Sequence, residues 1–247
     1  MYLSIIIPAY NEKNRIIKTL RDFDFYFKNK DYEYEIVVVN DGSKDETAEI
    51  VSKMKKEIKN LVFINNKKNN GKGFVVRQGL LSAKGDWRLF ADADNSTPIE
   101  EIEKFIPFFK NNHIIIGSRA IKGSLIKNPQ PFSRRFVGKV FNLMVQFLIG
   151  LWGVWDTQCG FKVLSKQAAE NILPLCKINR WAFDPEILII GKKLGYGIKE
   201  IPVVWINDIE SKVKKSAMFK MGLDLILIRW NLITNKYGRK QKTSFGA

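Results

Sequence analysis

The chain has 247 residues, of which 45% are hydrophobic and 12% aromatic. This composition excludes an intrinsically disordered protein, and the length suits one large α/β domain or two small ones. A net charge of +16 favours an anionic partner such as a phosphorylated substrate, an anionic lipid surface or nucleic acid. The two cysteines, Cys159 and Cys176, lack the spacing of a zinc site or disulfide framework, so we expect a reducing, cytoplasmic compartment.

Short β-rich runs alternate with helical patterns in the first half of the chain. The runs cover residues 2–7, 34–39, 61–64, 87–91 and 113–116. This alternation is typical of βαβ units and predicts an α/β fold with a mostly parallel central sheet. Two capping-box patterns, at residues 43–46 and 97–100, predict helix starts after the second and fourth runs.

Two later segments are unusually apolar. The conventional polar side chains of residues 136–155 fall on one helical stripe. Residues 218–233 have a narrower polar stripe, with basic residues on both flanks of the segment. Either segment can be a core helix or an amphipathic helix lying on a membrane, and the basic flanks favour the membrane for the second. We therefore divide the chain into a domain at residues 1–215 and an amphipathic, basic, membrane-associating segment at residues 216–247.

Polar motifs follow the first predicted strands. Tyr10 and Glu12 come after Pro8 and can present a ring and a carboxylate to a base or ribose. Asp41, after the second strand, can accept hydrogen bonds from a base edge or a ribose hydroxyl. Lys72 lies between two glycines that open a helix, where it offers a cation near phosphate.

Asp92 and Asp94 come directly after the predicted strand at residues 87–91. The carboxyl ends of strands in an open α/β sheet are where ligands bind, and hard oxygen donors suit a Mg²⁺ or Mn²⁺ ion that also holds phosphate. An isolated Asp-x-Asp is more often a solvated pair in a turn. The other strand-end motifs favour a metal and diphosphate site here.

Taken in order, the motifs resemble those of the family 2 inverting glycosyltransferases. They lie at residues 8–12, 39–43, 71–73, 92–94 and 117–119. The segment Asp-Thr-Gln-Cys-Gly-Phe-Lys at 156–162 is similar to that of polyprenyl-phosphate hexosyltransferases, and most of all to dolichyl-phosphate β-glucosyltransferases. The resemblance covers residues 1–215 and implies the nucleotide-diphospho-sugar transferase (GT-A, Rossmann-like) fold with peripheral amphipathic helices. Asn95 and Ser96 depart from the Gly-Ala usual in glucosyl members.

The resemblance also implies roles for individual residues. Those expected to hold the nucleoside are Pro8, Tyr10, Glu12, Val39 and Asp41. Those expected at the ribose, the Mg²⁺ or Mn²⁺ ion and the diphosphate are Asp92, Ala93 and Asp94, with Asp92 and Asp94 as the metal ligands. Those expected to contact donor or acceptor phosphate are Arg119, Arg134, Arg135 and Lys212.

A nucleoside diphosphate that leaves a sugar gains negative charge, which a divalent cation and basic side chains stabilise. A lipid-phosphate acceptor is already anionic near neutral pH, so it needs little help from a base. Asp184 ranks first and Asp156 second as a catalytic base, and a structural carboxylate is the alternative for each. Together with the metal ligand Asp94, they are the catalytic candidates.

We therefore predict a transferase that moves a hexose, glucose from UDP-glucose, to polyprenyl phosphate on the cytoplasmic face of a membrane. Its attachment would be peripheral, to an anionic surface or shared with a membrane-protein partner. The alternatives are a family 2 enzyme with a glycan acceptor, a mannosyltransferase using GDP-mannose, and a basic membrane- or nucleic-acid-binding protein with a vestigial sugar site. The ordered motifs argue against the last, and no nucleic-acid fold signature is present, so we expect no nucleic-acid partner.

Overall fold

A computed structural model describes residues 2–129, 131–207 and 215–238 of the chain. The strands are β1 (Tyr2–Ala9), β2 (Glu33–Asp41), β3 (Leu61–Asn66), β4 (Trp87–Ala91), β5 (Ile114–Ser118), β6 (Leu125–Lys127), β7 (Phe161–Ser165), β8 (Ile198–Pro202) and β9 (Val204–Ile206). The helices are α1 (Ile16–Lys28), α2 (Thr47–Glu57), α3 (Lys72–Ser82), α4 (Phe132–Ile149), α5 (Lys166–Ile172), α6 (Phe183–Lys193) and α7 (Lys215–Ile233).

A seven-stranded sheet in the order β3-β2-β1-β4-β7-β5-β8 forms the centre of the fold. Its neighbouring strands are parallel except for β7, which runs antiparallel to both β4 and β5. The short strands β6 and β9 pair in parallel beside it. The predicted α/β fold with a mostly parallel sheet is confirmed.

Hydrophobic cores cover both faces of this sheet. Along β1, Ile6 belongs to one core, while Ile5 and Ile7 belong to the other, as the alternation of side chains along a strand requires. Because both faces are covered, the central strands are continuous apolar runs, which is the pattern that made them recognisable. Helices α3 to α7 contribute to the first core, and α1 and α2 contribute to the second.

The two predicted capping boxes are wrong. Helix α2 begins at Thr47, and the Ser43 hydroxyl donates to Asn40 Oδ1 at 2.5 Å instead of capping the helix. After β4, residues Ile99–Lys104 form a 3₁₀ helix without a side-chain cap. In the first case the serine is diverted to a neighbouring turn, where it also accepts the N–H of Asn11 at 2.9 Å.

Helices α4 and α7 pack against each other. Each buries one apolar stripe, with Val145 from α4 and Leu225 and Ile228 from α7 fully buried. Each also leaves large apolar side chains exposed on its other side, so neither helix is purely a core helix. Among the residues that the structure describes, no helix is both long enough and apolar enough to cross a membrane.

Two helical glycines make a matched test of the packing of α3 on the sheet. A Cβ on Gly79 would lie 2.5 Å from Ile6 Cγ2 and 2.9 Å from Val39 Cγ2, whereas a Cβ on Gly138 of α4 would meet nothing within 4 Å. We expect Gly79→Ala to lower the free energy of unfolding by about 1–3 kcal/mol because the core must shift. Gly138→Ala should raise it by about 0.4–1 kcal/mol by reducing the freedom of the unfolded chain. Urea unfolding measures both, and equal effects would contradict this packing.

Candidate active site

A cavity of about 930 Å³ lies where the carboxyl ends of β1, β2 and β4 meet. Parallel strands place these ends at one edge of the sheet, which explains why distant motifs converge there. Eleven residues predicted for the site line it: Pro8, Tyr10, Glu12, Asp41, Lys72, Asp92, Ala93, Asp94, Arg119, Arg134 and Asp184.

The carboxylates of Asp92 and Asp94 line the cavity just beyond β4. Lys72 Nζ lies 2.6 Å from Asp92 Oδ1, and Asp94 Oδ1 accepts the backbone N–H of Ser96 at 2.9 Å. Gly160 lies so close that a Cβ there would be 1.9 Å from Asp92 Oδ2. The missing side chain of Gly160 therefore makes room for the Asp92 carboxylate.

Asp94 differs from Asp92 in its electrostatic surroundings. Burial, and next the negative charge of Asp92, raise the pKa of Asp94 above its ordinary value. Within the described part of the chain, Asp94 forms no ion pair. A partly buried carboxylate beside a second negative charge is stabilised by an added cation.

The donor set at this position fits a hard divalent cation. Asp92 and Asp94 offer carboxylate oxygens, the ligand type that Mg²⁺ and Mn²⁺ prefer. No cluster of three or more His, Cys, Asp or Glu side chains suited to a metal is found among the described residues. Because Mg²⁺ is commonly held by one or two carboxylates together with substrate phosphates, the pair is sufficient for a metal shared with a diphosphate.

Asp156 forms a bidentate ion pair with Arg119 at the side of the cavity. Its Oδ2 accepts from Nε at 2.7 Å and its Oδ1 accepts from Nη2 at 2.8 Å. Burial raises the pKa of Asp156, but the charge and hydrogen bonds of Arg119 outweigh burial and lower the pKa below its ordinary value. Asp156 does not line the cavity, and a carboxylate held in this way is a poor base. Its contacts indicate that it orients Arg119.

Asp184 lines the cavity at the start of α6 and is 6% exposed. Lys162 of β7, itself buried, places Nζ 2.7 Å from Asp184 Oδ1 and also contacts the carbonyl oxygen of Cys159. Burial raises the pKa of Asp184, and the charge of Lys162 opposes this rise. Asp184 therefore borders the cavity, and its carboxylate is almost fully buried and paired with a neighbouring lysine.

Asp41 lines the part of the cavity where the motifs predict that the nucleoside binds. Both of its oxygens accept backbone N–H groups, Oδ1 from Asn70 at 2.6 Å and Oδ2 from Gly71 at 3.0 Å. Burial raises the pKa of Asp41 and these bonds oppose the rise. Because each carboxylate oxygen has two lone pairs, Asp41 can accept a ligand hydrogen bond while it holds this loop.

The glycines around Lys72 have a structural reason different from the predicted one. Gly71 has φ +100°, and a Cβ there would be 2.3 Å from the carbonyl oxygen of Asn179. A Cβ on Gly73 would be 2.6 Å from Phe183 Cβ. The glycines therefore allow close packing of the residues before α6, and this packing leaves the Lys72 ammonium beside Asp92.

Two of the predicted binding residues that the structure describes do not line the cavity. Val39 is fully buried in the core, where its side chain cannot contact a nucleoside. Arg135 is exposed, while Arg134, one residue earlier on α4, lines the cavity because successive helical residues point in different directions. Lys212 lies outside the described residues.

Several cavity residues are not among those that the sequence predicts for the site. They are Arg15, Asn69, Gln158, Gly160, Arg180, Asn207 and Met221. Most lie in irregular segments whose position depends on distant packing. Arg180 and Trp181, a cation beside an aromatic ring just before Asp184, are a local signal that could have indicated a binding loop.

Residues 4–173 match the model of glycosyl transferase family 2. The chain is 40% identical over 240 residues to a dolichyl-phosphate beta-glucosyltransferase of Trichomonas vaginalis, covering 92% of this chain and 73% of that protein. It is 34% identical to the dolichyl-phosphate beta-glucosyltransferase of Saccharomyces cerevisiae, covering 98% of this chain and 78% of the relative. The protein of that name from Homo sapiens is 33% identical, with 97% and 78% covered.

Solved structures are similar in fold. The mannosyl-3-phosphoglycerate synthase of Rubrobacter xylanophilus superposes with a TM-score of 0.70 at 16% identity, covering 100% of this chain and 78% of that one. The glucosyl-3-phosphoglycerate synthase of Mycobacterium tuberculosis, in complex with Mn²⁺, uridine diphosphate and phosphoglyceric acid, gives a TM-score of 0.66 at 16% identity, covering 96% and 78%. These likenesses confirm the nucleotide-diphospho-sugar transferase fold.

The ion pair between Asp156 and Arg119 can be tested by removing one charge. We expect Asp156→Asn to lower the free energy of unfolding at pH 7 by about 1–3 kcal/mol, because the Arg119 guanidinium, which is only 27% exposed, loses its buried carboxylate partner. The folded-state pKa of Asp156 is depressed, so the stabilisation by this pair is present above about pH 4 and is lost as the pH falls further.

Urea unfolding at neutral and acidic pH measures this effect, and the difference between the two proteins should shrink below about pH 4. Glu49→Gln removes one partner of an exposed ion pair with Lys53 and serves as the control. It should change stability by less than about 0.5 kcal/mol. If Asp156→Asn changes stability at pH 7 as little as this control does, the ion pair between Asp156 and Arg119 does not stabilise the fold.

Proposed function

The chain belongs to glycosyltransferase family 2, and we propose that it transfers glucose from UDP-glucose to the phosphate of a polyprenyl lipid of the dolichyl or undecaprenyl type. One observation carries the proposal. A single cavity is lined both by the strand-end carboxylates and by Gly138 of α4 and Met221 of α7, helices whose outer sides expose apolar residues. A water-soluble donor and a lipid acceptor can meet in such a cavity.

We propose that the donor nucleoside binds at the ends of β1 and β2. Pro8, Tyr10, Glu12 and Asp41 line the cavity there. The Glu12 carboxylate accepts from Arg15 Nε at 2.7 Å, which fixes its orientation toward a ribose or base. The M. tuberculosis neighbour in complex with uridine diphosphate supports a uridine donor.

The diphosphate is placed at Asp92 and Asp94, which would hold Mg²⁺ or Mn²⁺ together with it. When bound, the cation supplies Lewis-acid stabilisation of the negative charge on the departing diphosphate. The absence of an ion pair at Asp94 within the described residues and the Mn²⁺ in the M. tuberculosis neighbour support this assignment. Lys72, beside Asp92, adds a second positive charge at the same point.

The chemistry needs little proton transfer. One oxygen of the acceptor phosphate forms a bond to the anomeric carbon as the bond from that carbon to the nucleoside diphosphate breaks. Attack from the opposite face inverts the α-linked donor into a β-linked product, through a transition state resembling an oxocarbenium ion. The acceptor phosphate is already anionic, so Asp184 need not remove a proton from it. Asp184, which is held in place by its ion pair with Lys162, instead orients the acceptor or the sugar.

Membrane attachment is proposed for the outer sides of α4 and α7, with residues 216–247 as the associating segment. The most exposed apolar residues there are Phe132, Phe136, Leu143, Phe147, Leu223, Ile226, Trp230 and Ile233. Exposed basic residues on the same helices, Lys139 and Arg229 among them, suit an anionic lipid surface. The free cysteines, Cys159 and Cys176, support the cytoplasmic face of that membrane.

A transfer assay tests the reaction itself. Radiolabelled UDP-glucose, UDP-N-acetylglucosamine and GDP-mannose are each incubated with polyprenyl phosphate, with Mg²⁺, with Mn²⁺ and with a chelator. We expect lipid-linked product from UDP-glucose in the presence of either metal, and none with the chelator. Product from GDP-mannose alone would replace glucose by mannose, and no lipid-linked product from any donor would refute the proposed function.

A vesicle flotation assay tests the proposed membrane surface. Phe136→Ser together with Phe147→Ser removes two exposed rings of α4, and vesicles contain equal amounts of phosphatidylcholine and phosphatidylglycerol. We expect at least about tenfold weaker binding, since each ring loses part of the roughly 1.5–3 kcal/mol that full burial supplies. Phe25→Ser is the control, because Phe25 is 75% exposed on the distant helix α1. Equal binding by both variants would place the membrane contact elsewhere.

A further inference from the structure

The end of α7 is fastened to the protein interior through a buried carboxylate. Tyr237, which follows α7, is 1% exposed, and its hydroxyl donates to Glu186 Oε1 at 2.7 Å. Asn231 Nδ2, from the last turns of α7, donates to the same hydroxyl oxygen at 3.2 Å. The hydroxyl thus both donates and accepts, so the three side chains form a satisfied buried network. We call Glu186, Asn231 and Tyr237 the Glu186 cluster.

The same carboxylate holds residues 176–182, the segment before α6, which we call the cavity loop. Glu186 Oε1 accepts the N–H of Lys177 and Oε2 accepts the N–H of Ile178, both at 2.9 Å. Glu186 itself is fully buried. Removing a donor from a buried acceptor costs more free energy than removing one from an exposed acceptor. Because these bonds share one buried carboxylate, loss of one of them affects the others.

The cavity loop contributes Arg180 and Trp181 to the wall of the active-site cavity. It also contacts the start of α3, where the carbonyl oxygen of Asn179 accepts the N–H of Phe74 at 3.1 Å. Lys72 Nζ lies 5.6 Å from the centre of the Trp181 ring and 2.6 Å from Asp92 Oδ1. A shift of this loop therefore moves two cavity side chains and the surroundings of the lysine beside the diphosphate position.

Helix α7 also approaches this loop from the cavity side. Met221 of α7 lines the cavity together with Arg180. Burial raises the pKa of Asp224 on α7, and the positive charge of Arg180 opposes that rise. The helix proposed to lie on the membrane is thus linked to Arg180 by charge and to the backbone of the cavity loop through the Glu186 cluster.

We propose that Tyr237 and Glu186 are positioning residues that set the cavity loop for donor binding and couple it to the position of α7. Docking of α7 on an anionic lipid surface would tighten the loop and raise the affinity for the donor. The coupling rests on the membrane surface and donor proposed above. It gives the enzyme a means of binding its donor best where its lipid acceptor is found.

Hydrogen–deuterium exchange in the full chain tests the positioning directly. Tyr237→Phe removes the hydroxyl at Glu186, and Tyr34→Phe is the matched control because its hydroxyl donates to the Asp24 carboxylate at 3.1 Å, away from the cavity. We expect Tyr237→Phe to speed exchange in residues 176–182 by about fivefold or more, and Tyr34→Phe to leave it unchanged. Vesicles of phosphatidylcholine and phosphatidylglycerol should slow this exchange in the wild type but not in Tyr237→Phe.

Unchanged exchange in Tyr237→Phe, an equal effect of Tyr34→Phe, or no vesicle effect in the wild type would overturn the proposal. If Tyr237→Phe does not fold, Glu186→Gln replaces it, because an amide cannot accept at both of its terminal atoms.

Steady-state kinetics separate positioning from a general loss of stability. In Tyr237→Phe we expect the KM for the sugar nucleotide to rise about fivefold or more, with the KM for polyprenyl phosphate unchanged. A merely structural role would lower the active fraction and so kcat, without this split, and that result would contradict the proposal. Failure of lipid transfer in the wild type would refute the proposed function, while the exchange measurement would still decide the positioning of the loop.

Discussion

The structure depends on compensating the negative charge of carboxylates that are buried or partly buried at one end of the sheet. An isolated buried charge costs several kcal/mol in a folded protein, so each carboxylate needs a cation or strong hydrogen bonds. Among them are Asp92, Asp94, Asp156 and Asp184, and three of these four are paired with basic side chains from other elements. The pairs are Lys72–Asp92, Arg119–Asp156 and Lys162–Asp184. These pairs join the start of α3, the end of β5 and strand β7 to a common edge. The fourth carboxylate, Asp94, forms no ion pair among the described residues, which supports the metal site proposed there.

The fold brings two different environments to this edge. The strand ends offer charged and polar groups to a nucleotide, while α4 and α7 cover the neighbouring core and expose apolar side chains outward. Residues from both sets line one cavity, which is the geometry required to join a charged donor to a lipid phosphate. The Glu186 cluster adds a direct hydrogen-bonded connection between the two environments.

The strands of the sheet were predictable where burial on both faces requires a continuous run of apolar residues. Strands covered on both faces are continuous apolar runs, and the motifs at their ends identified most of the cavity. Strand β7 has no such run because the buried Lys162 interrupts it, and that lysine is acceptable only because Asp184 neutralises it across the fold. The pattern cannot show this pairing, since the partner is distant in sequence.

The same limit explains why Asp156 and Ser43 have partners that the sequence does not indicate. Asp156 is a plausible base in the sequence, but its pairing with Arg119 depends on two segments that meet only in three dimensions. Ser43 looks like a helix cap, but the fold brings Asn11 close enough to bind it. Local patterns therefore predicted elements and motif positions well, and predicted the partners of individual polar groups poorly.

Binding of Mn²⁺, followed by electron paramagnetic resonance, tests most directly whether Asp92 and Asp94 hold a metal together with a diphosphate. Because two carboxylates supply only part of a coordination shell, we expect weak Mn²⁺ binding to the free protein and much tighter binding when uridine diphosphate is present. Asp94→Asn should abolish this enhancement, while Asp31→Asn, an exposed residue at the opposite end of the sheet, should preserve it. Mn²⁺ binding that is unaffected by uridine diphosphate, or enhancement that survives in Asp94→Asn, would contradict the assigned site.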